Sequence, residues 1–238
     1  MANYEKKVIV FIVEGQSDKA ALGTILEEYF ETCEIKFVVV HGDVTSDVHI
    51  SKDEIVKRIN ELVDEVRKRY RYEVSDFLKI IHITDVDGAF LQDDRVREAD
   101  VDSIQYHEEY METNHVGKVI RRNHHKREMF FKLRQTSQIN HIPYRIYYNS
   151  ANLEHVLVGE LKPFTDEEKM ILADEFAERY EGKASEFISY ISGAAAPGSY
   201  RETWDHIERE VCLIKRCTNM NLIFSSPASK NIINPKTP

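Results

Sequence analysis

Residues 8–13 read VIVFIV, an unbroken apolar run that is β-branched except at Phe11. A run without alternation suits a strand covered on both faces, the situation of a parallel sheet held between two layers of helices. The sequence that follows supplies such layers. In EGQSDKAALGTILEEYF, Ser17 or Asp18 can cap a helix whose Ala21, Leu22, Ile25, Leu26 and Tyr29 recur at helical spacing. KFVVVH, 36–41, reads as a second strand, and 51–71 as an amphipathic helix with Ile55, Ile59, Leu62 and Val66 on one face. FLKIIHIT, 77–84, reads as a third strand and runs into DVDG. This alternation predicts an α/β fold with a mostly parallel sheet flanked by helices.

After Gly88 the alternation stops. The stretch of about 92–138 is polar, charged and rich in histidine, and reads as a polar helical insertion. PYRIYYNS, 143–150, restores a strand, and Asn149 to Ala151 form a turn into a helix at 153–161. Further helices are expected at 166–180, 183–191 and, after the break GAAAPGS, at 200–217. The expected organisation is an α/β domain over 1–160, a helical C-terminal part over 161–227 packed on it, and a flexible tail at 228–238. No stretch approaches the roughly 18–20 apolar residues of a membrane span. The first apolar run ends in Glu14 without a small-residue cleavage site, so it reads as a strand and not a signal peptide, and a cytoplasmic location is expected. Cys33, Cys212 and Cys217 have no CxxC spacing, which argues against a disulfide framework or a zinc knuckle.

In open α/β sheets ligands bind beyond the carboxyl ends of the strands. The first strand delivers Glu14 and Gly15 there, Gly15 allowing a tight turn and close approach of a phosphate. The third delivers Asp85 and Asp87, which point to one side because side chains alternate along an extended backbone. Convergent carboxylates repel one another unless a cation neutralises them, and hard oxygen donors beside phosphate select Mg²⁺ or Mn²⁺. An ion so held can polarise a phosphodiester and acidify an attacking water. The competing reading is that acids at strand ends merely cap helices.

VIVFIVEGQSD and IIHITDVDG resemble the Toprim domain shared by topoisomerases, bacterial primases, recombination proteins and the overcoming-lysogenization-defect (OLD) nucleases. Glu14 and Gly15 stand at the family's signature positions and Asp85 and Asp87 as its DxD pair. The resemblance covers the stretch ending near Gly88, and implies a Toprim-like (Rossmann-like) sheet with Glu14, Asp85 and Asp87 as catalytic metal ligands. DVDGAFLQDD passes straight into the polar stretch, without the longer acidic run of topoisomerases and primases. The layout is more similar to the small stand-alone or ATPase-partnered OLD-like nucleases of prokaryotic defence and abortive infection. In those families a strand is followed by a small polar residue and a Glu opening a helix; NSANLEHVL is similar, which implies Glu154 and Asp18 near a second metal.

The function this implies is a Mg²⁺-dependent endonuclease acting on DNA or RNA, an effector of phage defence. The alternative is a catalytically quiet nucleic-acid-binding or regulatory module working with an ATPase partner. A nucleotide phosphotransferase or hydrolase ranks third, since no base-binding pocket is evident. No GxxxxGK[ST] occurs, so ATP would be bound by a separate subunit. The formal net charge of −9 leaves room for a local basic patch. KVIRRNHHKREMFFKLRQT supplies Lys118, Arg121, Arg122, Lys126, Arg127, Lys132 and Arg134 as phosphate contacts, with Phe130, Phe131 or His124 for stacking on bases. Its competing reading is a solvated helix with the two phenylalanines packed inward. His124 and His125 would diverge by about 100° on a helix, so they read as surface residues and not ligands. His82 reads as a core residue. Oligomeric state is left open.

Overall fold

The computed structural model describes residues 6–40, 43–209 and 214–225. β1 (Val8–Val13), β2 (Glu34–Val39), β3 (Phe77–Asp85) and β8 (Ile142–Asn149) form a parallel sheet in the order β2-β1-β3-β8. β7 (Gln138–Ile139) adds an antiparallel edge to β8. The molecule is thus α/β with a mixed, mostly parallel main sheet.

The period of two along β1 decides which layer each residue holds together. Val8, Val10 and Ile12 face one core; Ile9, Phe11 and Val13 face the other; all six are essentially inaccessible to water. The first core is covered by α2 (Ile55–Tyr70), α3 (Val116–Gln135) and α7 (Tyr200–Arg209), through Ile59, Phe130 and Trp204 among others. The second is covered by α1 (Gln16–Tyr29), α4 (Leu153–Val158), α5 (Asp166–Tyr180) and α6 (Ala184–Ser192), through Ile25, Val156, Phe176 and Phe187. Each such side chain contributes about 1.5–3 kcal/mol on burial. The helices expected near 166–180 and 183–191 are α5 and α6, and both pack into the second core. Among the described residues no helix is long and apolar enough to cross a membrane.

The stretch from 92 to 138 differs from a helical insertion. It contains a separate three-stranded sheet of β4 (Val96–Glu98), β5 (Gln105–Tyr106) and β6 (Met111–Thr113), in the order β4-β6-β5. Strands of two or three residues are too short for alternation to show in a sequence. α3 is no appendage either. It is the crossover between β3 and β8, and Met129, Phe130 and Leu133 bury themselves in the main core. The helix expected to reach Cys217 is described only as far as Arg209; residues 214–217 are not helical, and Cys212 and the tail from 226 lie outside the described residues.

Candidate active site at the carboxyl edge of the sheet

Because β1 lies directly beside β3, the two acidic motifs become neighbours. Glu14 Oε1 accepts the Thr84 hydroxyl at 2.6 Å and the backbone N–H of Asp85 at 2.9 Å. Asn149, at the end of β8, donates its side-chain amide to Asp85 Oδ1 at 3.0 Å. Three adjacent strand ends therefore meet at Asp85. Loss of water on burial, then the charges of Asp43 and Asp87, push the Glu14 carboxyl well above its ordinary pKa. Burial and the nearby Glu14, Asp18, Asp87 and Glu154 do the same to Asp85.

The turn after β3 has a demanding backbone. Asp87 adopts φ 53° and Gly88 φ 65°, the left-handed region that aspartate tolerates and glycine favours. Gly88 is required twice over, since a Cβ there would stand 2.8 Å from Ile214 Cδ1 and 3.1 Å from Met111 Sδ. Gly15 is different: at φ −131° any residue could sit there, and an added Cβ would meet Ser17 Oγ at 3.4 Å and Asp18 Oδ2 at 3.8 Å, both ordinary contacts. The tight turn expected at Gly15 does not call for glycine. Asp18, in the first turn of α1, accepts the Gly15 N–H at 2.9 Å and so stabilises the start of that helix.

Lys126 is the main departure from expectation. Expected on a phosphate-binding surface, its ammonium is wholly buried, 2.5 Å from Asp43 Oδ2 and 2.6 Å from Asp87 Oδ2, and it donates to the Asp85 carbonyl at 2.8 Å. Burial alone would lower its pKa, but Asp87, Asp43 and Glu14 outweigh that and hold it charged. As placed, it is an internal counter-ion and contacts no outside phosphate. Asp43 was not singled out in the sequence, although it follows β2 at the same sheet edge. Its Oδ1 accepts the Thr45 backbone at 2.7 Å and hydroxyl at 2.6 Å. Burial raises its pKa, but Lys126 and Thr45 more than offset this and hold it below the usual value.

On the far side of Asp85 lie Asp18 and Glu154. Glu154 opens α4, whose cap is Asn152 accepting the His155 N–H at 2.8 Å. Burial, followed by Glu154, lifts Asp18 to about 6. Among the described residues Glu154 pairs with Lys169, at 3.8 Å. Six carboxylates, Glu14, Asp18, Asp43, Asp85, Asp87 and Glu154, thus share one edge with Lys126, Arg122 and Lys169. An all-oxygen set with surplus negative charge fits a hard divalent cation in chemistry and in charge. In geometry, among the described residues, no three His, Cys, Asp or Glu side chains are disposed to hold a metal ion.

The other basic residues divide sharply. Arg122 donates to the Asp87 carbonyl at 3.0 Å and to Asn123 Oδ1 at 2.8 Å. Arg127 reaches Asp93 at 3.3 Å, and Arg134 pairs with Glu208 at 3.0 Å. Lys118, Arg121 and Lys132 are exposed, with no carboxylate partner among the described residues. Phe130 packs against Phe90 and Trp204 in the core, so it cannot stack on a base; Phe131 is 53% exposed. His124 binds Asp93 at 2.8 Å on the surface. His82 is buried against the Tyr144 hydroxyl at 2.9 Å, and loss of water lowers its pKa to about 4. No protein-family model, no curated protein and no solved structure matches the chain.

Proposed function

We propose that the chain is a Toprim-like, Mg²⁺- or Mn²⁺-dependent phosphodiester hydrolase acting on DNA or RNA. The observation that carries this reading is the meeting of Glu14 and Asp85 at adjoining strand ends, within a group of acids that outnumbers its cations. Asp85 and Glu14, with Asp18 and Glu154 beside them, are the residues that would hold the metal. When bound, a divalent cation supplies Lewis-acid charge to a phosphodiester and acidifies a water.

The chain's own groups are arranged for the remainder. Glu14 Oε1 is committed to Thr84 and Asp85, which leaves Oε2 to take a proton, and burial with the neighbouring Asp43 and Asp87 favours its protonated form. Asn149 fixes Asp85 by one oxygen and leaves the other to face a ligand. Lys126 holds Asp87 and Asp43 in place and lends positive charge to the site. A role in prokaryotic defence, and an ATPase partner, rest on the resemblance alone.

The test is cleavage of end-labelled DNA and RNA by the purified chain with Mg²⁺, Mn²⁺ or chelator, beside Glu14→Gln and Asp85→Asn. The expected result is metal-dependent cleavage that falls by on the order of 10²-fold or more in each folded variant. One observation favours the second reading, a catalytically quiet nucleic-acid-binding module: Lys126 already stands as the cation between Asp43 and Asp87. Binding without cleavage under every metal condition would establish that reading in place of the first.

A further inference from the structure

Beside the acidic edge lies a cavity of about 670 Å³, inside the roughly 300–1,000 Å³ range of small-ligand sites. The first turns of α3 form one wall with Lys118, Arg121 and Arg122, and the loops before α2 and before β5 contribute Val48 and Ile104. Arg122 makes this wall continuous with the acidic cluster, because it donates to the Asp87 carbonyl at 3.0 Å. Lys118 and Arg121 are three residues apart and share a helix face. Both are exposed, and among the described residues neither is paired with a carboxylate. Of the lining residues only Asp102 is acidic. A second recess of about 490 Å³ shares Lys118 and Arg121 and continues past the start of α3, with Glu98 on its rim.

Two unpaired cations converging in a chain of net charge −9 are matched to an anion. The apolar sides given by Val48, 68% exposed, and Ile104 call for more than a bare phosphate. A nucleotide meets both demands. A cavity of this size takes one nucleotide, whereas a duplex is too wide to enter, and the neighbouring recess gives the strand a path past the same two cations. We propose that this cleft binds an unpaired nucleic-acid strand, with Lys118 and Arg121 on successive phosphates and a base or sugar against Val48 and Ile104. It would deliver the adjoining phosphodiester past Arg122 to Asp85 and Glu14. The delivery rests on the hydrolytic reading; the binding can be measured separately.

The experiment is fluorescence anisotropy of the full chain with a short end-labelled single strand, DNA and RNA in turn, in EDTA so that nothing is cut. A blunt duplex of the same sequence is the comparison. The wild type is expected to prefer the single strand, and Lys118→Glu/Arg121→Glu to weaken it by on the order of tenfold and flatten its salt dependence by about two phosphate contacts. Lys57→Glu/Lys68→Glu, an equal charge change on exposed positions of α2, should leave binding unchanged. Equal losses in both double variants, no loss in the cleft variant, a duplex bound as tightly as the single strand, or a free mononucleotide competing as well as the strand each overturn the proposal. Strand binding that depends on the cleft in a protein that cuts nothing leaves the cleft standing and ends the hydrolytic reading. Cleavage with KM unchanged in the cleft variant does the reverse.

Discussion

The two sides of Asp85 carry the same kind of side chain in opposite states. Toward β2, Asp43 and Asp87 close around the Lys126 ammonium at 2.5 and 2.6 Å, and Asp43 is held below its ordinary pKa. Toward α4, the one cation that Asp18 and Glu154 have among the described residues is Lys169, at 3.8 Å from Glu154 and with a third of its side chain exposed. There Asp18 rises to about 6. Burial is the first cause acting on both aspartates, so burial does not separate them. The separating variable is a buried ammonium in contact, which favours the charged form on one side and is missing on the other. One side is a finished ion-pair network; the other retains charge that an added cation would relieve.

The strongest way to break this contrast is Lys126→Met. It strands Asp43 and Asp87 without their partner in a site where Lys126 is wholly buried. Removing one member of a buried pair costs about 3–5 kcal/mol. Urea unfolding should show a loss of that size, partly recovered when Asp43→Asn is added, because the second change removes one of the stranded charges. A loss below about 1 kcal/mol would place Lys126 among ordinary surface pairs.

Asp18→Asn sharpens the other side through pH. The folded pKa of about 6 lies above the ordinary 3.8, so the fold favours the protonated acid. That contribution is complete below the unfolded pKa and is lost as pH rises from about 4 through 6. Asparagine does not ionise, and its carbonyl can still accept the Gly15 N–H. The variant should therefore gain on the wild type across that window, by on the order of 3 kcal/mol, and hold the gain above it. His82 and His155, both lowered to about 4 by burial, titrate alike in the two proteins and cancel from the difference. A stability difference that is flat with pH removes the basis for calling this side unneutralised.

Much of this was legible in the sequence, for reasons that can be located. VIVFIV announces a doubly covered strand because every residue must find apolar neighbours, and the neighbouring EG and DxD follow from β1 pairing with β3. Asp43 was open to the same rule, since it too follows a strand at that edge, but HGD carries no motif to draw attention to it. Lys126 was hidden by composition. Within a run of seven cations it looked like one more solvated charge, yet Val119, Asn123, Lys126, Phe130 and Leu133 are spaced four, three, four and three apart, and all five are buried. A charged residue in phase with an apolar stripe is the signal for a buried ion pair, and it also shows that α3 is a core helix. The small sheet of β4, β5 and β6 left no comparable trace, being too short for periodicity and stabilised by contacts such as Met111 with Val96 that are distant in sequence.

Lys169→Met should produce the smallest effect and separates the two sides most directly. Burial lowers the Lys169 pKa, but Glu154, Asp85 and Asp18 outweigh it and raise the net value, so at neutral pH the ammonium is charged and stabilising. Its partner is 3.8 Å away and the side chain is a third exposed, which limits the loss in the metal-free protein to less than about 1 kcal/mol. Methionine keeps the aliphatic stem beside Leu172 and Ala173. The charge change acts on Mg²⁺ in the opposite direction: with a competing cation removed, Asp18, Asp85 and Glu154 attract a divalent ion more strongly. The thermal midpoint should then rise further on adding Mg²⁺ in the variant than in the wild type, because an ion that binds only the folded state stabilises in proportion to its affinity. A Mg²⁺-induced shift that is absent from both proteins, or unchanged by the substitution, would mean that the α4 side of Asp85 takes no metal.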